Sequence, residues 1–289
     1  MKKLLTIILL LCLLVGCLGC TQPADHQPQG QFIVHFIDLG QSDSILLEYE
    51  GHFALIDGGY AKTSDKLLDY LEDQNVTELD LVVSTHMHGD HIGGLPAVLE
   101  AYKVDVLWHS RQTYYSDAYD QLLYYADQQD TLVEKPVVSQ LFLLGDVQLE
   151  LLGPLQKSYT DINNSSLVIM ASYGKNRFLF TGDMLHEAEK ELIDAGTDLK
   201  ADVLKVGHHG SYTSTSYLFL RTVQPDYAVI QCGRDNEYGH PHSEPMSRLR
   251  DADVDIYRND KLGTVIAISD GTNITFSWEF TDAKPEYNK

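Results

Sequence analysis

Six consecutive residues, His86-Met87-His88-Gly89-Asp90-His91, carry four side chains able to bind a metal ion. No other stretch limits the chain's options as far. They follow the apolar run Leu79–Ser84, which reads as a strand, and lead into Ile92–Tyr102, which reads as a helix. Imidazole and carboxylate together suit Zn²⁺, Mn²⁺ or Fe²⁺. Side chains 86 and 88 can point one way while 90 and 91 turn toward a second position, so one loop can serve two adjacent ions. With 12 histidines in 289 residues, such a concentration is a poor match for an ordinary solvated loop.

Around this loop, short apolar runs alternate with helical spacing. Strands are expected over 32–38, 44–49, 53–57, 79–84 and 104–108, and again over 141–144, 147–152, 166–173 and 177–181. Later strands are expected over 202–206, 227–231, 254–257, 264–269 and 273–278, and helices over 62–74, 92–102, 116–129, 185–195, 216–223 and 243–251. A strand meander followed by mixed β/α, given twice, predicts two sheets face to face with helices outside. No linker divides residues 32–289, so one domain is the economical reading.

The amino terminus reads differently. Lys2 and Lys3 precede an apolar run ending at Leu14-Val15-Gly16-Cys17. That is the pattern of an export signal over residues 1–16, too short to span a bilayer comfortably. The tetrapeptide resembles a bacterial lipobox, which implies lipidation of Cys17, with Cys20 a weaker candidate. Residues 17–31 then form a polar tether, and the expected location is the outer face of a bacterial cell membrane. Cys232 is the single cysteine beyond this region, so an internal disulfide is excluded. Loss of Lys2 and Lys3 with the leader moves the formal charge from −21 to −23. Such a surface has no general basic face for nucleic acid, so an anionic substrate must be held locally.

The run His-x-His-x-Asp-His after an apolar strand resembles the signature of the metallo-β-lactamase superfamily. That resemblance implies an α+β, four-layer αββα sandwich with one or two divalent ions, Zn²⁺ or Mn²⁺, at the sheet edges. Carried over residue by residue, it implies His86, His88, Asp90, His91, Asp183 and His208 as ligands, Asp183 bridging two positions. Asp57, in Ile56-Asp57-Gly58-Gly59, would support the loop from behind, and His209 would stand behind His208. Four further segments resemble the hydrolase domain of ComEC-type competence proteins: 38–44, Asn163-Asn164-Ser165-Ser166-Leu167-Val168, His208-His209-Gly210-Ser211 and Tyr238-Gly239-His240-Pro241-His242. The chain departs from most two-ion members where a histidine is usual, since Asn163-Asn164 stand there instead. The first position is then left with His86, His88 and Asp183, and with Asn164, His240, water or substrate to complete it.

The expected activity is metal-dependent phosphoester hydrolysis, with a phosphodiester of nucleic acid or of the cell envelope as substrate. Asp90 and Asp183 would orient the nucleophile, and His240 would hold the phosphoryl oxygen or protonate the leaving group. Alternatives are a phosphorylcholine esterase-like envelope enzyme and a non-catalytic metal-binding lipoprotein. A serine hydrolase is disfavoured because no Gly-x-Ser-x-Gly elbow surrounds Ser211, Ser214 or Ser216. Tyr114, Tyr115, Tyr119, Tyr124 and Tyr125 suggest a half-buried helix covering the site.

Overall fold

The computed structural model describes residues 29–287; the leader, Cys17 and Cys20 lie outside the described residues. In chain order, β1 (Phe32–Phe36), β2 (Ile45–Tyr49) and β3 (His52–Ile56) form an antiparallel meander. Helix α1 (Ser64–Asp73) crosses to β4 (Glu78–Ser84), which pairs parallel to β3. Short α2 (Gly89–Ile92) and α3 (Leu95–Ala101) lead to β5 (Lys103–His109), and α4 (Asp117–Gln128) to β6 (Leu132–Glu134).

The second sheet opens with the antiparallel strands β7 (Leu141–Leu144), β8 (Val147–Gly153), β9 (Val168–Tyr173) and β10 (Asn176–Phe180). It continues in parallel through α5 (His186–Asp194), β11 (Val203–Lys205), α6 (Tyr217–Val223), β12 (Tyr227–Ile230), α7 (Ser243–Asp251) and β13 (Asp255–Arg258). After α8 (Asn259–Leu262), β14 (Val265–Ser269) and β15 (Ile274–Trp278) return to the first sheet beside β1. The sheet orders are β15-β14-β1-β2-β3-β4-β5-β6 and β13-β12-β11-β10-β9-β8-β7.

Alternation along the strands explains the layering. Phe32, Val34 and Phe36 face the second sheet, where Phe32 meets Phe178 edge-on at 5.3 Å. Leu46, Leu55 and Leu107 face outward onto Leu67, Leu95 and Leu122 of the first helical layer. On the far side, Leu179, Leu204 and Ile230 pack against Leu192, Phe219 and Leu249 of the second. This is the expected four-layer αββα sandwich.

Most expected elements appear within two residues. The expected helix over 92–102 is two pieces, α2 and α3, and β6 was not anticipated because its three residues are largely exposed at a sheet edge. Among the described residues no helix is long and apolar enough to cross a membrane.

Candidate metal centre

Loops leaving β4, β10 and β11 converge at one edge of the sandwich, bringing both sheets to a single site. The first loop is held by Asp57, whose carboxylate accepts hydrogen bonds from Thr85 N (2.8 Å), Thr85 Oγ1 (2.7 Å) and His91 Nδ1 (2.8 Å). The predicted support from behind is therefore present, and it leaves His91 Nε2 facing the site. Asp183 follows Gly182, which adopts φ +49°; a Cβ there would approach Ser166 Oγ to 2.9 Å. Ser166 Oγ in turn accepts from Asp183 N (3.1 Å) and lies 3.4 Å from His86 Nδ1, linking the two loops.

His91 Nε2 lies 3.2 Å from Asp183 Oδ2, and His209 Nε2 lies 3.6 Å from that oxygen and 3.3 Å from Asp90 Oδ2. One ligand atom from each of Asp90, His91, Asp183 and His209 falls within 4.8 Å of the others. His86 Nε2 faces the same Asp183 oxygen at 4.0 Å, and His88 Nδ1 sits 3.1 Å from His86 Nε2. The other five predicted ligands thus gather near Asp183, His88 by way of its contact with His86.

The difference concerns two neighbours. His209, expected behind His208, closes the four-residue group, while His208 lies at its rim with Nε2 3.8 Å from Asp183 Oδ2. The expectation assumed an extended strand, on which adjacent side chains diverge. Here His208 and His209 have φ 49° and 54°, a left-handed pair that turns both rings toward the site. The His209 ring is also backed like that of His91: its Nδ1 lies 3.0 Å from Gln231 O and 3.2 Å from Asp43 Oδ1. Asp43 is held by the buried ammonium of Lys205 at 2.7 Å. Of the two, only Asp43 falls in a motif segment singled out in the sequence, 38–44, and no role is assigned to it there.

Electrostatics follow from this packing. Burial opposes a charge on His209, but Asp183 and Asp43 outweigh it and push its pKa up to about 10. His91 is likewise desolvated yet raised well above the ordinary imidazole range by Asp183, Asp57 and Asp90. His86 goes the other way, held well below that range by burial and by the charge on His91. A neutral ring of this kind has a lone pair to offer a metal ion. Two buried atoms, His91 Nε2 and Asp183 Oδ1, have no hydrogen-bond partner. A cation supplies what both lack, and the mixed nitrogen and carboxylate donors suit Zn²⁺ or Mn²⁺. The residues fit the implied ions.

A cavity of about 300 Å³ opens over the group, lined also by Gln41, Tyr60, Tyr238 and His240. Gly210, at φ +81°, lets Pro241 approach to where a Cβ would lie 2.6 Å away, which brings the His240 loop over the cavity. Gln41 Oε1 accepts from Gly233 N (3.0 Å), so its amide nitrogen faces His240 Nδ1 at 3.1 Å. His240 Nδ1 must accept that bond, which leaves the ring proton on Nε2. Burial, with His209 and His208 nearby, lowers the His240 pKa to about 4. The ring is a neutral N–H donor near pH 7. The tyrosines of α4 do not line this cavity; that helix packs on α3 and the first sheet.

The family model for the metallo-β-lactamase superfamily matches residues 37–234. The chain is 30% identical over 250 residues to ComE operon protein 3 of Bacillus subtilis (80% of this chain, 32% of that protein). It is 33% identical over 222 residues to Recombination protein 2 of Haemophilus influenzae (75% and 26%). It therefore spans a third or less of these relatives' length. Among solved structures, the metallo-β-lactamase fold protein YhfI of Bacillus subtilis superposes with a TM-score of 0.55 at 12% identity, over 86% of this chain and 100% of that one. The diiron β-hydroxylase CmlA of Streptomyces venezuelae gives 0.53 at 12%, over 80% and 53%.

Proposed function

This chain belongs to the metallo-β-lactamase superfamily, and from that membership we propose that it is a metal-dependent phosphodiesterase, exported and tethered to the membrane through a lipid on Cys17. The observation that carries the activity is the group Asp90, His91, Asp183 and His209 beneath an open, polar cavity. A divalent ion held there supplies Lewis acidity and a nucleophilic water near neutral pH. The protein's own residues do the rest. Asp90, whose carboxyl burial would raise but His91 and His209 hold well down, stays ionised to orient the nucleophile with Asp183. His240 donates its Nε2–H to a phosphoryl oxygen, for which a neutral ring with a proton fixed by Gln41 is suited.

The similarity to a protein named for recombination, together with the ComEC-like segments of the sequence, favours nucleic acid as the substrate. A phosphorylcholine ester is the second reading, because Tyr60 and Tyr238 at the cavity could face a quaternary ammonium. Both are tested with metal-loaded protein on bis-p-nitrophenyl phosphate, plasmid DNA and p-nitrophenyl phosphorylcholine. Asp183→Asn removes charge from both metal positions with little change in volume. It should lower metal content and abolish hydrolysis. No turnover of any diester by the fully loaded wild type would refute the enzymatic reading and leave a metal-binding lipoprotein.

A further inference from the structure

The first metal position has two imidazoles, His86 and His88, and a share of Asp183; the neighbouring His91 belongs to the other position, and asparagines stand where a third histidine is usual. His109, the nearest upstream histidine, is spent elsewhere: its Nδ1 bonds Ser110 O at 2.9 Å and its ring packs on Tyr119. The two asparagines that replace the usual histidine are not equivalent. Asn164 is fully engaged, its Oδ1 accepting from Leu185 N (3.0 Å) and its Nδ2 donating to Glu187 (2.8 Å). It ties the turn to α5 and has no carbonyl lone pair committed to the site.

Asn163 differs in each respect. It is 6% exposed, lines the same cavity as His88, Asp90 and Asp183, and its Oδ1 is buried with no hydrogen-bond partner. An unpaired buried amide oxygen is costly to the fold, so it is expected to have a use. The 3₁₀ turn Ile162–Ser165 that carries it is rigidly set. Asp161 Oδ1 accepts from Asn163 N at 3.0 Å, Ser110 Oγ donates to Ser165 O at 2.8 Å, and Leu167 N donates to Thr85 O at 3.0 Å. The last bond fixes the turn against the start of the histidine loop, and Ser166 reaches His86 itself.

We propose that Asn163 Oδ1 is the fourth protein donor of the first metal position, beside His86, His88 and the shared Asp183, and that this neutral oxygen tilts the position toward an oxygen-preferring ion such as Mn²⁺ over Zn²⁺. This rests on the metal-centre reading above and deepens it. Exchanging an imidazole for an amide oxygen removes a borderline nitrogen ligand favoured by Zn²⁺ and leaves a donor suited to harder cations. It adds no charge, so the first position is also the weaker of the two.

The test is equilibrium dialysis of the chelator-stripped full chain against Mn²⁺ and Zn²⁺, with bound Mn²⁺ followed by electron paramagnetic resonance. Wild type should take up one tight equivalent and a second, weaker one that prefers Mn²⁺. Asn163→Ala should lose the second equivalent by at least about tenfold in affinity, the scale set by perturbing groups around a metal. Asn163→Asp should keep it, and Asn163→His should turn its preference toward Zn²⁺. Asn164→Ala loosens the turn without removing a donor and should retain both equivalents. An unchanged second equivalent in Asn163→Ala, an unchanged Mn²⁺/Zn²⁺ ratio in Asn163→His, or equal losses in Asn163→Ala and Asn164→Ala would each overturn the proposal. A wild type that binds one equivalent at every concentration would remove the first position while leaving the centre intact. One that binds none would sink the metal-centre reading itself.

Discussion

Which nitrogen of His240 holds the proton decides what that ring can do. Gly233 N–H orients the Gln41 amide, and the amide fixes the imidazole with Nε2–H free. A ring whose pKa is lowered to about 4 by burial and neighbouring imidazoles carries no spare proton near pH 7. It can stabilise charge but is poorly placed to protonate a leaving group. His240→Ala should therefore retain metal and lose about 10²–10³-fold in turnover, the usual loss for an oxyanion donor. The loss should match for alkyl and nitrophenyl phosphodiesters; a much smaller loss with the nitrophenyl ester would make His240 the acid. Gln41→Glu places a carboxylate against Nδ1, which favours the protonated ring. The Nε2–H survives protonation, so the pH–rate profile should change where the ring now titrates, with turnover kept on the acid side; an unchanged profile would separate Gln41 from His240.

At the level of elements, each sheet contributes a histidine braced by a buried carboxylate, His91 by Asp57 and His209 by Asp43. The second brace has a further cost, because Lys205 is buried and paired with Asp43 at 2.7 Å. Asp43→Asn leaves that ammonium without its counter-charge and should destabilise the fold by about 3–5 kcal/mol. Denaturant unfolding reads this directly, and adding Lys205→Met should recover part of the loss. Full additivity of the two substitutions would mean that the pair does not interact.

The same elements show what sequence could convey. Strands such as Phe32–Phe36 and Leu141–Leu144 were legible from apolar patterning, and the histidine loop from residue type and spacing. The orientation of His208 and His209 was not, because nothing in the letters His-His-Gly announces two left-handed residues. The sequence offered Asn164 as the completing donor, but its hydrogen bonds commit it to Leu185 and Glu187 and leave Asn163 with the unpartnered carbonyl. Backbone handedness and amide orientation depend on partners more than a hundred residues away or in other loops, so local pattern does not encode them.

For the molecule as a whole, an ion in this centre fastens the first sheet to the second. Without it, protons take its place. His209, raised from 6.5 to about 10, and His91, also raised, bind more protons folded than unfolded. Their contribution to stability is fully present below pH 6.5 and lost as pH rises toward 10. The melting temperature of metal-free protein should fall across that range more steeply than that of loaded protein. Metal uptake at pH 7.5 should release protons, read by calorimetry in buffers of different ionisation heat; uptake without release would contradict protonated ligands. The proposed anchor predicts a separate whole-molecule result. Cys17→Ser should leave the protein uncleaved or soluble, and unchanged partitioning and mass would rule out a lipid at Cys17.

Asp90 and His209 meet at 3.3 Å across 119 residues of chain. The histidine loop alone offers an ion only half a seat; the rest arrives when the second sheet has formed and closed on the first. Under the export proposed above, a chain threaded outward through a membrane would finish its metal-binding seat only after crossing. Its cargo would then be drawn from the medium where folding ends, and the ion found in the isolated protein would record the supply outside the cell.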